Sequence, residues 1–264
     1  MNATDRLRAS LTGFVAGLAG GLFGVGGGIL LVPMLTGFFA LTQHQAHGTS
    51  LAAIGATAIA GLVVYGTHGH VDWPTAATIA LSSIFFARLG ARGAAKVSRS
   101  GLTRAFAVFL LVVAARLLWK APAGDGHALV TGPLRLLVSF GVGAGVGLLS
   151  GFLGVGGGIL AVPALTLLFG APQQTAQGTS LAIILVTAPF GAFEHHSHGN
   201  VVLRIVPWLA LGAAAGAPLA SLLAQHVPQA ALARAFAVFL VANAVYTWVR
   251  AARAARAGRS AAKS

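Results

Sequence analysis

The sequence predicts an all-α integral membrane protein. It reads as two tandem homologous repeats of about four hydrophobic segments each, inverted relative to one another, with a glycine-broken first segment in each. Three observations carry this. Of 264 residues, 56% are hydrophobic and 8% charged, whereas a soluble domain of this length carries roughly a quarter charged residues. Mean hydropathy is +0.84, and apolar runs close to the ~20 residues needed to cross a bilayer recur along the chain. The phrase GLFGVGGGILLVPML at 21–35 returns as GFLGVGGGILAVPAL at 151–165.

The repetition extends well beyond that phrase. At the same offset of 130 residues, GTSLA at 48–52 recurs at 178–182, HG at 68–69 recurs at 198–199, and RAFAVFL at 104–110 recurs letter for letter at 234–240. Agreement this long and in register marks a duplication. The first repeat is placed at 1–120, a linker rich in Pro, Gly and Asp at 121–133, the second repeat at 134–250 and a basic tail at 251–264.

The apolar segments of the first repeat are 11–41, 49–67, 73–91 and 102–119, and those of the second are 134–170, 179–194, 203–224 and 232–249. Arg6 and Arg8 ahead of the first run resemble a signal peptide, but the run continues without a cleavage-site break and is expected to be retained. The first segment of each repeat is too long for one crossing and is interrupted by glycines at 24–28 or 154–158.

Charge predicts the orientation. Arg88 near the end of the third segment and Arg92, Lys96, Arg99 and Arg104 after it are cationic, while the matching stretch 218–233 has no Lys or Arg. The second repeat carries Arg250, Arg253, Arg256, Arg259 and Lys263 after its last segment. The positive-inside rule places the first and last sets in the cytoplasm and the middle stretch outside. The repeats then face opposite ways, so each crosses an odd number of times. A first segment that enters and returns to its own side satisfies this, as in transporters with broken helices. Eight plain crossings with parallel repeats is the alternative. Both termini are expected in the cytoplasm, with the chain multi-pass in the inner (plasma) membrane. The net charge of +13 is read as topology signal and attraction to anionic headgroups rather than as a nucleic-acid footprint.

Irregular backbone at membrane depth is tolerated only where protein or a water-filled cavity satisfies it. Residues 24–28 precede a helix-competent stretch with no side chains to screen their amides, and helix N-termini bind anions. Gly24, Gly26, Gly27 and Gly28, with Gly154, Gly156, Gly157 and Gly158, are therefore the expected substrate-binding backbone. The plainer reading of such glycines is close helix packing. No Lys-Ser/Thr follows as a phosphate-binding loop needs, and no strand precedes as a dinucleotide fold needs. Thr49, Ser50, Thr179 and Ser180 are expected either to cap the second segments or to add hydroxyl ligands to the same anion. Gln43, Gln45, Gln173, Gln174 and Gln177 are read as interfacial polar residues.

His68 and His70 in one repeat, with His195, His196 and His198 in the other, invite a metal reading. The chain has four acids (Asp5, Asp72, Asp125 and Glu194) and no cysteine, so interfacial histidines are preferred and no metal or other cofactor is expected. A transition-metal permease and a membrane-embedded hydrolase remain the alternatives. Catalytic residues are expected to be none.

The duplicated GxGGGxxxVPxL phrase, from Gly24 and from Gly154, together with the duplicated GTSLA, resembles the TauE/SafE family of sulfite-exporter-like membrane proteins over nearly the whole chain. The resemblance implies a non-enzymatic transporter of sulfite, sulfonates or related organic anions, described with about eight spans. Export is favoured energetically, because each negative charge leaving a negative interior gains about 2.3 kcal/mol per 100 mV. The expected partners are a small anion and the lipid bilayer, with homo-oligomerisation left open.

Overall fold

The computed structural model describes all residues except 94–98, 120–129, 154–156 and 262–264. Among the described residues it has ten helices and no strand. In order they are α1 Ala3–Phe23, α2 Gly28–Phe38, α3 Gln43–Thr67, α4 Trp73–Gly93, α5 Arg99–Trp119, α6 Pro133–Leu153, α7 Gly158–Leu167, α8 Gln173–Ser197, α9 Val206–His226 and α10 Gln229–Ala261. The eight apolar segments thus become ten helices, because the first segment of each repeat yields two.

Backbone chemistry explains the extra ends. Gly24 terminates α1 in the left-handed conformation, φ 69°, as glycine does after many helices. Gly26 and Gly27 continue at φ 72° and 79°, a region that side-chain-bearing residues rarely enter. The Gly27 carbonyl then accepts from Leu30 N at 3.1 Å and Leu31 N at 3.0 Å to start α2. In the second repeat the Gly157 carbonyl accepts from Leu160 N and Ala161 N in the same way. Gly157, however, has φ −68°, so the two copies enter their short helices by different turns.

The second segments also begin earlier than GTSLA. Thr42 and Gln45 form a reciprocal capping box that opens α3, and Pro172 precedes α8. Thr49 and Thr179 therefore sit a full turn or more inside their helices and cap nothing. The polar residues 43–45 and 173–174 form first turns because the cap lies upstream of the apolar run.

Three helix pairs build the core, and small residues let each approach closely. Helix α1 lies on α9 with Gly13 against Leu209, Gly17 against Ala213 and Gly21 against Ala217, so the two run parallel. Helix α4 lies on α6 through Gly143 against Ile79 and Gly147 against Ser83, again parallel. These two pairs are the same contacts displaced by 130 residues, each joining one repeat to the other. Between them α3 packs on α8 with Gly48 against His195, Leu51 against Gly191 and Tyr65 against Gly178, so this pair is antiparallel.

Ile54, Tyr65, Leu181, Ile183 and Ile184 are fully buried along this central pair. Large side chains such as Leu81, Leu137 and Phe193 are 70% or more exposed, an outward apolar surface that suits lipid rather than water. Among the described residues, four helices are long and apolar enough to cross a membrane: α3, α8, α9 and residues 229–249 of α10.

Candidate functional site

The turn between α1 and α2 lies at the centre of the bundle, where Gly24, Gly26, Gly27 and Gly28 are all buried. Helices α8 and α3 press directly on it. A Cβ on Gly24 would stand 2.5 Å from Gln177 Cα, and one on Gly26 would lie 3.2 Å from Ile184 Cδ1 and 3.6 Å from Ile54 Cβ. A Cβ on Gly27 would run into the Ala16 carbonyl oxygen. These glycines therefore serve both positive φ and close approach.

The second copy meets the first here. A Cβ on Gly158 would stand 2.7 Å from Ile184 Cδ1, 2.9 Å from Val25 Cα and 3.2 Å from the Gly24 carbonyl oxygen. Gly157 is buried against Val146. Gly154 and Gly156 lie outside the described residues. Ile54 and Ile184, equivalent positions of the two repeats, wall this meeting point.

The hydroxyl residues do not gather there as a group. Ser50 Oγ donates to the Gly28 carbonyl and Ser180 Oγ to the Gly158 carbonyl, both at 3.4 Å, tying the first residue of each short helix to its neighbour. Thr49 and Thr179 instead face opposite ends of the molecule. Thr179 Oγ1 accepts from Asp72 N at 2.9 Å, and Thr49 Oγ1 accepts from Val202 N at 3.0 Å. Each holds the loop before α4 or α9 of the other repeat.

Three residues beside the turn escaped sequence reading. Tyr65 is fully buried, and its hydroxyl lies 2.9 Å from both the Gly21 carbonyl and Gln177 Oε1. Ser221 Oγ donates to the same Gly21 carbonyl at 3.3 Å. Thr57 is fully buried where α3 meets Gly20. The available signal was the single tyrosine of the apolar segment 49–67 and the offset of Thr57 by two turns from Ser50. Gln177, read as interfacial, is completely buried because α8 starts upstream of it.

The histidines have other work. His68 Nδ1 bonds the Val64 carbonyl and His198 Nδ1 the Glu194 carbonyl, each at 2.7 Å, closing the C-terminal turns of α3 and α8. Among the described residues no group of three or more His, Asp or Glu side chains is placed to hold a metal ion. Antiparallel packing of α3 and α8 sets the two clusters at opposite ends, so the metal-permease alternative finds no support.

Comparison with known proteins is consistent with this geometry. The family profile described as "Sulfite exporter TauE/SafE" matches residues 139–264. A Xylella fastidiosa protein named "Probable membrane transporter protein" is 32% identical over 242 residues, covering 89% of this chain and 92% of its own length. "Probable membrane transporter protein YunE" of Bacillus subtilis is 29% identical over 78% of this chain and 85% of its own. A Haemophilus influenzae protein, also named "Probable membrane transporter protein", is 25% identical over 91% and 97%. No solved structure matches the chain. The relatives are transporters rather than enzymes, and with its apolar helices and glycine-turned core this chain belongs to the TauE/SafE family of membrane transporters.

Proposed function

We propose that the protein is a secondary transporter that exports a small oxyanion, such as sulfite or a short sulfonate, through a site formed where the two glycine breaks meet. The observation that carries this reading is the contact of Gly158 with Val25 and Gly24. It sets the first residue of α7 against the turn that leads from α1 into α2, inside the bundle, and the partial positive charge of a helix N-terminal end favours an anion without a formal cation. Gly24, Gly26, Gly27, Gly28, Gly157 and Gly158 supply backbone. Ser50 and Ser180 brace α2 and α7, and Thr49 and Thr179 brace the frame.

The antiparallel run of α3 and α8, which are copies of one another, supports inverted repeats. In that arrangement α1 and α2 enter and return to one side, as do α6 and α7 from the other. The basic stretches 88–104 and 250–263 then share a side with residue 3, which is the cytoplasmic side by the positive-inside rule, across the inner membrane.

Flux from proteoliposomes loaded with sulfite, thiosulfate or methanesulfonate, with and without an imposed potential, tests the function. Wild-type protein is expected to release at least one of these, faster when the loaded interior is negative. Gly27→Val is expected to abolish release. The milder Gly26→Ala, strained by its positive φ and by a Cβ 3.2 Å from the flexible end of Ile184, is expected to lower it at least tenfold. Near-normal flux in both properly inserted variants would remove the site. For the topology, Ser98→Cys and Gln225→Cys are expected to label from opposite faces of intact cells, since the chain has no other cysteine.

A further inference from the structure

Beside the first glycine turn, two buried hydrogen-bonding groups find no partner among the described residues. Thr57 Oγ1 and Gln177 Nε2 are both without a partner, and both residues are 0% exposed. Leaving such a group unsatisfied costs about 1–3 kcal/mol, so a fold that keeps two beside one feature is holding them for something. The remaining unpartnered groups, on Gln173, Gln174 and Gln229, belong to the first residues of α8 and α10.

The geometry fixes what these two could meet. A Cβ on Gly20 would stand 2.6 Å from Thr57 Cγ2 and 2.7 Å from both Gly26 C and Gly27 N. The Thr57 methyl group therefore shares one crowded point with the Gly26–Gly27 peptide, at the entry to the 11-residue helix α2, with the hydroxyl on the same Cβ. Gln177 Cα and Cβ press on Gly24 at the other end of the turn. The Gln177 amide is also oriented. Its Oε1 lies 2.9 Å from the Tyr65 hydroxyl, and Ser221 supplies a proton to the Gly21 carbonyl, which releases the Tyr65 proton for Oε1. The amide nitrogen is then the end left over, and an amide NH2 only donates.

We propose that Thr57 and Gln177 are the side-chain donors to the anion at the first glycine turn, with Tyr65 a positioning residue that turns the Gln177 amide toward it, and that the ligand is a small oxyanion carrying no amino group. This rests on the anion-site reading above and narrows it. Glycine amides, one hydroxyl and one amide NH2 form a shell of donors suited to several oxygens. An ammonium group would find none of the described carboxylates there, since Asp5, Asp72 and Glu194 all sit at or just beyond helix ends. It would be desolvated against Ile54 and Ile184 instead, which burial without a partner makes costly.

The experiment measures sulfite efflux from proteoliposomes and thermal unfolding of the same preparations. Thr57→Val keeps shape and removes only the hydroxyl. It is expected to raise KM for sulfite about tenfold with maximal rate within about twofold, while Tm stays level or rises because an unsatisfied buried group is gone. A purely structural hydroxyl would leave KM alone. Gln177→Glu, which replaces a donor by a negative acceptor, is expected to raise KM more than tenfold, and Gln177→Leu, which cannot repel the anion, about tenfold. Tyr65→Phe is expected to raise KM about threefold, with no further effect in the Gln177→Leu background. Methanesulfonate is expected to compete with sulfite, and 2-aminoethanesulfonate is not.

Wild-type KM in Thr57→Val and both Gln177 variants, or equal competition by 2-aminoethanesulfonate, overturns this inference while leaving the glycine site standing. A wild-type protein that moves none of the anions overturns both.

Discussion

The two ends of the bundle use equivalent positions in opposite ways. At one end Asp72, just before α4, accepts hydrogen bonds from Thr75 N at 3.2 Å and Thr75 Oγ1 at 2.8 Å and pairs with Arg135 of α6. Arg135 also donates to Thr75 Oγ1 at 3.2 Å and lies 5.7 Å from the centre of the Phe169 ring. At the other end the equivalents of Asp72, Arg135 and Phe169 are Val202, Asp5 and Phe39. There Asp5, Phe39 and Arg204 line a cavity of about 420 Å³. One end carries a charged latch, and the other, the open end, has a cavity in its place. The difference lies in a few polar side chains on a shared frame.

If the frame is shared, its glycine seams should fail alike, and this is the largest effect expected. Gly17→Ala drives a Cβ to within 2.5 Å of the Ala213 carbonyl oxygen, and Gly147→Ala puts one 2.9 Å from Ser83 Cα and 3.0 Å from Ala87 N. Backbone cannot step aside as a flexible side chain can, so each substitution should cost about 3 kcal/mol, near the upper end for overpacking. Thermal unfolding in detergent should show both variants falling together. A tolerant Gly147→Ala beside a ruined Gly17→Ala would mean that the two halves are not packed alike.

How much of this was legible follows from which forces act locally. Helix content was readable, and α1 ends at Gly24 where the glycines stand, because hydropathy and glycine write themselves into sequence at their own positions. Where α3 and α8 begin was not, since the Thr42 capping box and Pro172 lie upstream of the apolar signal. The roles of Thr49 and Thr179 were misjudged for a different reason. Their partners, Val202 N and Asp72 N, are more than 100 residues away in sequence, and no local pattern announces them. The same distance hid Tyr65 and Gln177, whose pairing exists only once α3 and α8 lie antiparallel.

The two threonines give the next test of likeness. Thr49→Val and Thr179→Val each strip one acceptor from a part-buried N–H, at a cost of about 1 kcal/mol. Their losses of Tm should match, and the double variant should lose their sum, because independent distant sites add. A marked excess in Thr179→Val would show that the latched end leans on its loop more heavily than the open end does.

The smallest effect on stability should come from the latch itself, and it discriminates best between the ends. Asp72→Asn keeps a side-chain oxygen for Thr75 N and removes the charge together with the oxygen that accepts from Thr75 Oγ1 and Arg135. Asparagine caps helices as well as aspartate, so α4 should start normally. The Arg135 and Asp72 side chains are 43% and 24% exposed, and a pair this accessible to water contributes about 1 kcal/mol or less. Asp5→Asn, at the open end, should cost nothing measurable. The consequence lies in access rather than in Tm. Ser221 is fully buried behind the latched end, and a Ser221→Cys reporter should react with a membrane-impermeant maleimide faster in the Asp72→Asn background than in Asp5→Asn. Raised salt should reproduce part of that gain in the parent reporter, because screening weakens an exposed ion pair. Equal labelling in both backgrounds would mean that the ion pair decorates a closure held by packing alone. The contrast between the ends would then rest on the loops and not on charge.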